Sequence, residues 1–499
     1  MNSSSEFDKT DTAVIGCIEA SEEVANPTVL NRIYRKLDFR IIPALWTLYF
    51  LSSFGNSAYG NSLTMNYQTG HNLPVVLNVT THQLRTATSL DYVATILFDL
   101  PMNLIMSRAA PNTWLMRIIV SIGITYMCYA ALHNGEGLIA IRFFTGLVAA
   151  GVWPGMAYYI SMYYPDERTA RRIGFYFVAA QISAACGGLV AAGFQLMDGT
   201  HGLYGWQWMM LIYGAITVFV GITLLWWLPG RPPALDEKLS GWLKKLDKYF
   251  PSPKPPLTEE ELAIHEKDME VRYNTSMEWT MKDVLNIILD VRLWPLITMY
   301  FGVVGTGISI QTYATVIIRA NNPKLTGIQL SLLTAPIWLC DALAIVLITP
   351  LSDRIKHHRG IVFSLSTLII ITGLFVATFA PNHWSRYGGL LICGFGLGPT
   401  VPICMTWAAC IFSKRYGDVG AAAATALVSG LGNLGSVTTT YALYSGWPAD
   451  AKRHFRGSNM VMVGILGISI LSAGMCTLVQ YWCGDYGSNK SLKQAIMSR

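Results

Sequence analysis

The segment PGRPPALDEKLSGWLKKLDKYFPSPKPP, residues 229–256, decides the fold because it interrupts an otherwise apolar chain. It contains seven prolines and charges of both signs, and the polar character continues to residue 290. Six apolar spans precede this interruption and six follow it. Their predicted limits are 41–60, 84–107, 113–132, 137–162, 172–195 and 207–228, then 291–313, 327–350, 360–380, 386–411, 419–444 and 458–482. The pattern predicts an all-α polytopic membrane protein with twelve transmembrane helices in two pseudo-symmetric halves of six.

The composition of the 499-residue chain excludes an ordinary soluble protein. Charged residues make up 13% and apolar residues 52%, and the mean hydropathy is +0.38. An average soluble domain has about 25% charged residues. Two six-span halves joined by a long polar loop are the layout of duplicated secondary transporters. The predicted division is a tail at 1–40, a half at 41–228, a central loop at 229–290, a half at 291–482 and a tail at 483–499.

Basic residues in the short loops predict the orientation in the membrane, since positively charged loops stay in the cytosol. Arg108 and Arg117 flank one loop of the first half, whereas the loops after spans 1, 3 and 5 contain no Lys or Arg. Both tails and the central loop are therefore predicted to be cytosolic. The expected location is the plasma membrane, with an internal membrane left open. The sequon that begins at Asn78 would then be a glycosylation site on the outside.

The central loop contains a sequence typical of a helix start. Thr258 is followed three residues later by Glu261, which is the pattern of a capping box. We expect a short charged helix from this point to about Arg272, packed as a solvated cytosolic helix against the mouth of the bundle.

Charges inside the spans are candidates for function because a bilayer makes each of them energetically costly. Arg142, in span 4, offers a planar fork to a carboxylate and is a candidate for binding an anionic substrate. A fixed structural ion pair is the alternative.

Asp91 and Asp99 on span 2 lie about 80° apart around the helix and about 12 Å apart along it, and Asp341 lies in the middle of span 8. These three carboxylates are candidates for carrying a proton, because burial favours their neutral form. A position near the outer headgroups is the alternative for Asp91, and a structural role in the cytosolic gate is the alternative for Asp99.

The end of span 8 carries a candidate cytosolic gate. Asp353 and Arg354 follow each other there, and such charges at a helix end can form an ion pair between the halves that breaks when they move. The matching turn after span 2 contains Arg108 but no carboxylate, so only the second copy can form the pair fully. Anchoring of the loop by positive charge is the alternative.

Aromatic and amide side chains on the predicted cavity helices are candidates for contacting a substrate. They are Asn56, Tyr59, Trp153, Tyr158, Gln181, Gln311, Tyr313, Trp338, Trp407 and Asn433. Packing, or a place in an interfacial aromatic belt, is the alternative for each. No metal-ligand motif, nucleotide loop or catalytic triad is recognisable, so no metal, no cofactor and no enzymatic activity are predicted.

Four stretches of the chain carry a family resemblance. They are RKLDFRIIP at 35–43, LFDLPMNL at 97–104, RFFTG at 142–146 with GVWPGMAYY at 151–159, and KR at 414–415 with GNLG at 432–435. They resemble helix 1, helix 2, helix 4 and the helix 10–11 region of the major facilitator superfamily. More narrowly, they are similar to the fungal anion:cation symporters, which include allantoate, nicotinate, pantothenate and biotin permeases. The chain departs from this pattern at Gly55-Asn56 and at Cys410, where the family usually has other polar residues.

The resemblance implies a proton-coupled symporter for a small organic anion that works by alternating access. It implies that Arg142 binds the carboxylate while Asp91, Asp99 or Asp341 carries the proton. The expected substrates are vitamin-like monocarboxylates, nicotinate first, then pantothenate, allantoate or a small peptide. The expected partners are this anion, the proton and the lipid bilayer, without nucleic acid, and the protein is expected to be a monomer. A drug:proton antiporter is the alternative, although span 5 lacks the proline of its Gly-Pro signature. A nutrient sensor without flux is a third hypothesis.

Overall fold

The computed structural model describes residues 27–108, 110–232, 253–269, 281–354 and 359–482, and none of these residues lies in a β-strand. The helices of the first half are α1 (Pro27–Ser62), α2 (Leu73–Val76), α3 (Thr81–Arg108), α4 (Pro111–Tyr129), α5 (Gly135–Ala149), α6 (Val152–Tyr163), α7 (Asp166–Phe194) and α8 (Gly205–Trp227). The central loop contributes α9 (Glu259–Asp268) and α10 (Met281–Leu289). The helices of the second half are α11 (Leu293–Asn321), α12 (Gly327–Arg354), α13 (Arg359–Phe379), α14 (His383–Leu397), α15 (Thr400–Gly432), α16 (Leu434–Ala442), α17 (Pro448–Ala451) and α18 (Arg456–Trp482).

These helices confirm the all-α fold with twelve spans in two halves. Each predicted span coincides with one long helix or with two consecutive helices. Eight segments of the described chain are long and apolar enough to cross a membrane by those two criteria alone. The other four spans, carried by α1, α3, α4 and the α15–α16 segment, include more polar or charged side chains.

Three spans are made of two consecutive helices instead of one. Between α5 and α6, Gly151 has a φ of +86°, a left-handed conformation that glycine adopts without steric cost. Between α14 and α15 stands Pro399, which has no N–H with which to continue a helix. Between α15 and α16 stands Asn433. Discontinuous helices of this kind often form binding sites in transporters, because their free backbone groups can face a cavity.

Two predicted boundaries differ from the helices. α1 begins at Pro27, well before the predicted start of span 1 at residue 41, and Ile33, Tyr34 and Leu37 bury one face of the additional segment. Average hydropathy misses such a segment because its other face is polar. The predicted connection at 412–418, between spans 10 and 11, lies within α15. Polar residues mark the edge of the apolar region there, but they do not by themselves end a helix.

Among the described residues, the most extensive packing between the two halves is that of α7 on α12, α3 on α16 and α1 on α11. The contacts are close, because Cβ atoms added to Gly188 of α7 and Gly60 of α1 would lie 2.2 and 2.9 Å from atoms of the facing helices. Beyond the end of α1, the Tyr67 hydroxyl donates to the Leu325 carbonyl at 2.7 Å. The Arg319 guanidinium lies 3.9 Å from the centroid of the same ring. We call this end of the bundle, where the halves touch, the Tyr67 end.

The capping box predicted in the central loop is present at the start of α9. The Glu261 N–H donates to Thr258 Oγ1 at 3.3 Å, and the Thr258 N–H donates to Glu261 Oε2 at 3.2 Å. These two bonds satisfy backbone donors that a helix start leaves free. The predicted helix is confirmed. It ends at Asp268, and Arg272, its predicted end, lies outside the described residues.

α9 packs on the end of the bundle opposite the Tyr67 end. Lys36 of α1 donates to Glu261 Oε1 at 2.6 Å, and this bond holds the pKa of the Glu261 carboxyl below its usual value. His265 is buried, with its Nε2 at 2.9 Å from the carbonyl oxygen of Tyr163, the last residue of α6. The Tyr34 hydroxyl donates to the Asp268 carboxylate. The central loop is therefore attached here to helices of the first half.

Candidate functional site

A cavity of about 280 Å³ lies between the two halves. Its walls come from α1 and α3 to α7 of the first half and from α11, α12, α14, α15 and the α15–α16 break of the second. The charged residues of its lining are Asp91, Asp99 and Asp341, and no Lys, Arg or His of the described ranges lines it. The cavity is therefore acidic, and both halves contribute to it.

Asp91 lines the cavity, and Arg142, which lies outside the lining, compensates its charge in an ion pair. The distance from Arg142 Nη2 to Asp91 Oδ2 is 3.1 Å, and only 1% and 7% of the two side chains are exposed. The guanidinium also donates to the backbone carbonyls of Ala87 at 3.3 Å and Thr88 at 3.4 Å. It lies 4.1 Å from the centroid of the Tyr59 ring. Arg142 of α5 thus forms a buried ion pair with Asp91 of α3 and does not line the cavity, and its role in binding an anionic substrate stays a prediction.

Asp99 forms a hydrogen bond with the backbone at the break between α5 and α6. Its Oδ1 accepts a hydrogen bond from the Gly151 N–H at 2.8 Å. Gly151 precedes the first residue of α6, where unpaired N–H groups and the helix dipole favour a negative charge. The carboxylate therefore has a structural partner in addition to its place in the cavity lining, and both its role in carrying the proton and its role in the cytosolic gate stay predictions.

Asp341 is the carboxylate of the second half, and its surroundings differ from those of the other two. Only 2% of the residue is exposed, and its Oδ1 is buried without a hydrogen-bond partner. It lies against the break between α14 and α15: a Cβ added to Gly398 would be 2.4 Å from the Asp341 carbonyl oxygen and 2.7 Å from Oδ1. Within the described ranges, no basic side chain forms an ion pair with Asp341.

Six of the ten predicted contact side chains line the cavity, namely Asn56, Trp153, Gln181, Gln311, Trp338 and Asn433. Tyr59, Tyr158, Tyr313 and Trp407 do not. The Tyr59 hydroxyl shares a hydrogen bond of 2.9 Å with Thr88 Oγ1, and the Tyr313 hydroxyl donates to the Thr440 carbonyl at 3.1 Å. These two hydroxyls therefore bond to the neighbouring helices α3 and α16, and residue type alone does not reveal which face of a helix such a side chain occupies.

The cavity also contains polar side chains that the sequence analysis missed. They are Tyr49, Ser52, Ser53, Tyr92, Thr95, Tyr126, Thr145, Tyr300 and Ser429. A signal existed for some of them. Ser52 and Ser53 form a polar pair inside an apolar span, and Tyr92 directly follows Asp91. The tyrosines at 49, 126 and 300 carry no such signal, because aromatic residues are common throughout these helices.

Two further predicted features lie at the ends of the spans. The side chains of the candidate gate, Asp353, Arg354 and Arg108, lie outside the part of the chain whose side chains the structure describes. Asn78 is exposed in a turn with a φ of +49°. An enzyme that attaches a glycan could therefore reach its side chain, and glycosylation stays a prediction.

A helical bundle of two six-span halves around a shared polar cavity, with broken helices at its walls, defines a membrane transporter. The chain belongs to the Major Facilitator Superfamily, because the model of that family matches residues 45–440. It is 47% identical over 455 residues to "Vitamin H transporter 1" of Schizosaccharomyces pombe, covering 89% of this chain and 79% of the relative. A second transporter of that species, which is uncharacterized, is 46% identical over 91% of this chain and 73% of its own length.

A solved structure has the same fold. It is the crystal structure of a bacterial homolog of the human lysosomal transporter Spinster, in an inward-facing and unoccupied conformation. The TM-score is 0.64 at 15% sequence identity, and the match covers 89% of this chain and 96% of the other. At this level of identity the likeness concerns the fold alone.

Proposed function

We propose that the protein carries a small carboxylate across the plasma membrane together with a proton, and that vitamin H is the first substrate to test. The observation that supports this most is the cavity between the halves, which combines buried carboxylates with amide and aromatic side chains. The 47% identity to a vitamin H transporter places vitamin H ahead of nicotinate, pantothenate and allantoate in the order of testing.

The lining suits a molecule that is partly apolar and partly rich in hydrogen-bonding groups. Trp153 and Trp338 offer flat apolar surfaces, while Gln181, Gln311 and Asn433 offer amide groups that both donate and accept. The amides come from α7, α11 and the α15–α16 break, so a substrate that contacts all three touches both halves. Contacts of that kind couple binding to the movement of one half against the other.

The same cavity also offers sites that can bind a proton, because three carboxylates line it. A carboxylate surrounded by protein takes up a proton more readily than one in water, and it releases the proton when it is exposed again. Proton entry from outside and release inside would supply the free energy for accumulating the anion. Arg142, which the sequence analysis assigned to the substrate, has its charge matched by Asp91, so we assign the contacts with the substrate to the amides instead.

Uptake of labelled vitamin H into a yeast strain that lacks its own transporter tests this function. We expect uptake above that of the empty vector, stimulation when the external pH falls from 7 to 5, and collapse on addition of a protonophore. Nicotinate, pantothenate and allantoate are tested in parallel. The absence of uptake for every carboxylate of this panel, with the protein present at the cell surface, contradicts the proposal.

A matched pair of variants assigns the transport to the cavity. Gln181→Ala removes an amide that lines the cavity, whereas Gln68→Ala removes an exposed amide outside it. We expect the first change to raise the KM for the substrate about tenfold, which is the effect of losing roughly one good hydrogen bond to a ligand. The second change should leave the KM unchanged. Equal effects of the two changes would remove Gln181 from the binding site.

A second candidate function is the export of an organic cation in exchange for protons. It is favoured by one observation, the absence of Lys, Arg and His from the lining among the described residues. Expression of the protein should then make a sensitive strain resistant to lipophilic cations, and carboxylate uptake should be absent. The two functions therefore give opposite results in the same pair of assays.

A further inference from the structure

The carboxylates around the cavity differ in how their charges are compensated. Asp91 has Arg142 at 3.1 Å, so this pair brings no net charge to the cavity. Asp99 accepts a hydrogen bond from the Gly151 N–H, which precedes α6. Asp341 has neither kind of partner within the described ranges, and its Oδ1 is buried and unbonded. When ionised, it therefore places an uncompensated negative charge beside the cavity.

Asp341 lines the cavity, so its charge acts on a ligand that is bound there. Trp338, one helical turn before it on α12, lines the same space, and Leu397 and Val401 line it on either side of the α14–α15 break. Gly398 of that break brings its backbone so close that even a methyl group would meet Oδ1. Since the cavity measures only about 280 Å³, a bound anion and an ionised Asp341 would be near neighbours with little water between them.

Other titratable groups also line the cavity or lie next to Asp341. From the helices around the cavity they are Tyr49 of α1, Asp91, Tyr92 and Asp99 of α3, Tyr126 of α4 and Tyr300 of α11. The neighbour on the same helix is Cys340, which interacts electrostatically with Asp341. α7, α14 and α15 contribute uncharged side chains to the lining. Tyrosines and this thiol stay neutral near neutral pH, and Asp91 is paired with Arg142, which leaves Asp99 and Asp341 as the carboxylates that can change the charge of the cavity. Of these two, Asp341 is the one whose Oδ1 is buried without a hydrogen-bond partner.

We propose that Asp341 takes up the transported proton, and that its neutralisation is the condition for the substrate carboxylate to enter the cavity. This inference rests on the proposed proton-coupled carboxylate transport and adds to it a residue and a binding order. The proton passes from water to a carboxylate oxygen of Asp341, the anion then binds, and both leave on the other side of the membrane. Because the two binding events are linked, the anion strengthens proton binding by the same factor as the proton strengthens anion binding.

The pH dependence of anion affinity tests the proposal. In the wild type, the apparent KM at the outer face should rise by up to about tenfold for each pH unit above the range in which Asp341 is protonated, as expected for one linked proton. Asp341→Asn carries a permanent neutral mimic of the protonated side chain. Its KM should be independent of pH, and its uptake should reach equilibrium without accumulation and without sensitivity to a protonophore.

The matched control is Asp99→Asn, the same chemical change in the same cavity. Asn retains an oxygen that can accept the bond from Gly151, so the break between α5 and α6 keeps its connection. We expect this variant to keep the pH slope of the wild type, whatever its maximal rate. A pH slope that persists in Asp341→Asn, or that disappears in Asp99→Asn alone, overturns the assignment.

A second variant covers the case in which Asp341→Asn does not reach the membrane. Asp341→Glu keeps a titratable carboxyl but moves it by one methylene toward the cavity, so the pH at which the KM begins to rise should shift while the slope is retained. An unchanged midpoint overturns the proposal. Failure of the inference is distinguishable from failure of the proposed function: in the first case the wild type still accumulates the carboxylate in response to pH, and in the second it does not.

Discussion

Each half of the molecule places a carboxylate of its second span against the backbone of its fourth span, yet the two carboxylates differ in how their charge is compensated. In the first half, α3 packs on α5, and a Cβ added to Gly146 would meet the Asp91 carbonyl oxygen at 2.0 Å. In the second half, α12 packs on α14, and a Cβ added to Gly398 would meet the Asp341 carbonyl oxygen at 2.4 Å. Asp91 is paired with a buried arginine, whereas Asp341 has no such partner among the described residues.

The difference suggests different tasks for the two carboxylates. A buried ion pair with additional hydrogen bonds is costly to open, so the first half keeps its charge arrangement while the halves move. A buried carboxylate without a partner changes its charge easily when the cavity opens to water. In the mechanism that we propose, the first half therefore supplies a fixed frame, and the second half supplies the group that responds to protons.

The largest expected effect comes from breaking the pair of the first half. Asp91→Ala leaves the Arg142 charge buried without its counter-ion, which should destabilise the protein by about 3–5 kcal/mol. The measurements are the amount of protein in the membrane fraction and the midpoint of thermal unfolding in detergent.

The double variant Asp91→Asn/Arg142→Gln is the control for this effect. It removes both charges while keeping polar side chains of similar size, and it should recover most of the lost stability. Normal yield and normal unfolding of Asp91→Ala would show that the pair does not stabilise the first half, and the contrast between the halves would then disappear.

The next effect concerns the feature that the halves share. Gly146→Ala and Gly398→Ala both push a methyl group against a backbone carbonyl of the facing helix, and each should cost about 1–3 kcal/mol through overpacking. Gly467→Ala on α18 is the control, because no atom lies within 4 Å of its added Cβ. Thermal unfolding of the three variants in parallel is the measurement. A destabilisation at one of the two sites alone would mean that the close approach is not equivalent in the two halves.

The architecture was predictable because apolar length and polar interruptions report directly on a bilayer. The twelve spans, the helix that begins after Thr258 and the presence of Asp91, Asp99 and Asp341 inside the spans all follow from local patterns. The partner of each carboxylate did not follow. Arg142 and Asp91 are 51 positions apart in sequence, and only the packing of α5 on α3 brings them together. The face of the helix on which Tyr59 and Tyr313 lie did not follow either, because residue type does not specify which face meets the cavity.

A smaller effect is expected where the halves meet each other. Tyr67→Phe removes the hydroxyl that donates to the Leu325 carbonyl across the Tyr67 end. The loss should weaken closure of this end by about 0.5–1.5 kcal/mol, which raises the population open at this end several-fold. The measurement is labelling of Asn56→Cys in the cavity by a membrane-impermeant thiol reagent, with the exposed Cys128 and Cys410 replaced. Tyr481→Phe, at an exposed tyrosine of α18, is the matched control, and equal labelling of the two variants would mean that the hydroxyl does not hold the halves together.

The smallest effect concerns the helices of the central loop, which also distinguish the halves: α9 packs on α1 of the first, and α10 on α11 and α15 of the second. Burial holds the pKa of His265 below its usual 6.5, with the nearby Asp268 and Glu266 carboxylates opposing the shift. A histidine with a lowered pKa contributes to docking above pH 6.5 and loses this contribution as the pH falls through the lowered value.

Trypsin cleavage after the exposed Lys267 in membrane vesicles should therefore accelerate a few-fold between pH 7 and pH 5. His265→Phe keeps the aromatic packing beside Tyr34 but cannot titrate, so cleavage corrected for the activity of trypsin should no longer depend on pH. The same acceleration in this variant would assign the release of α9 to other groups, with the ion pair between Lys36 and Glu261 as the next to test.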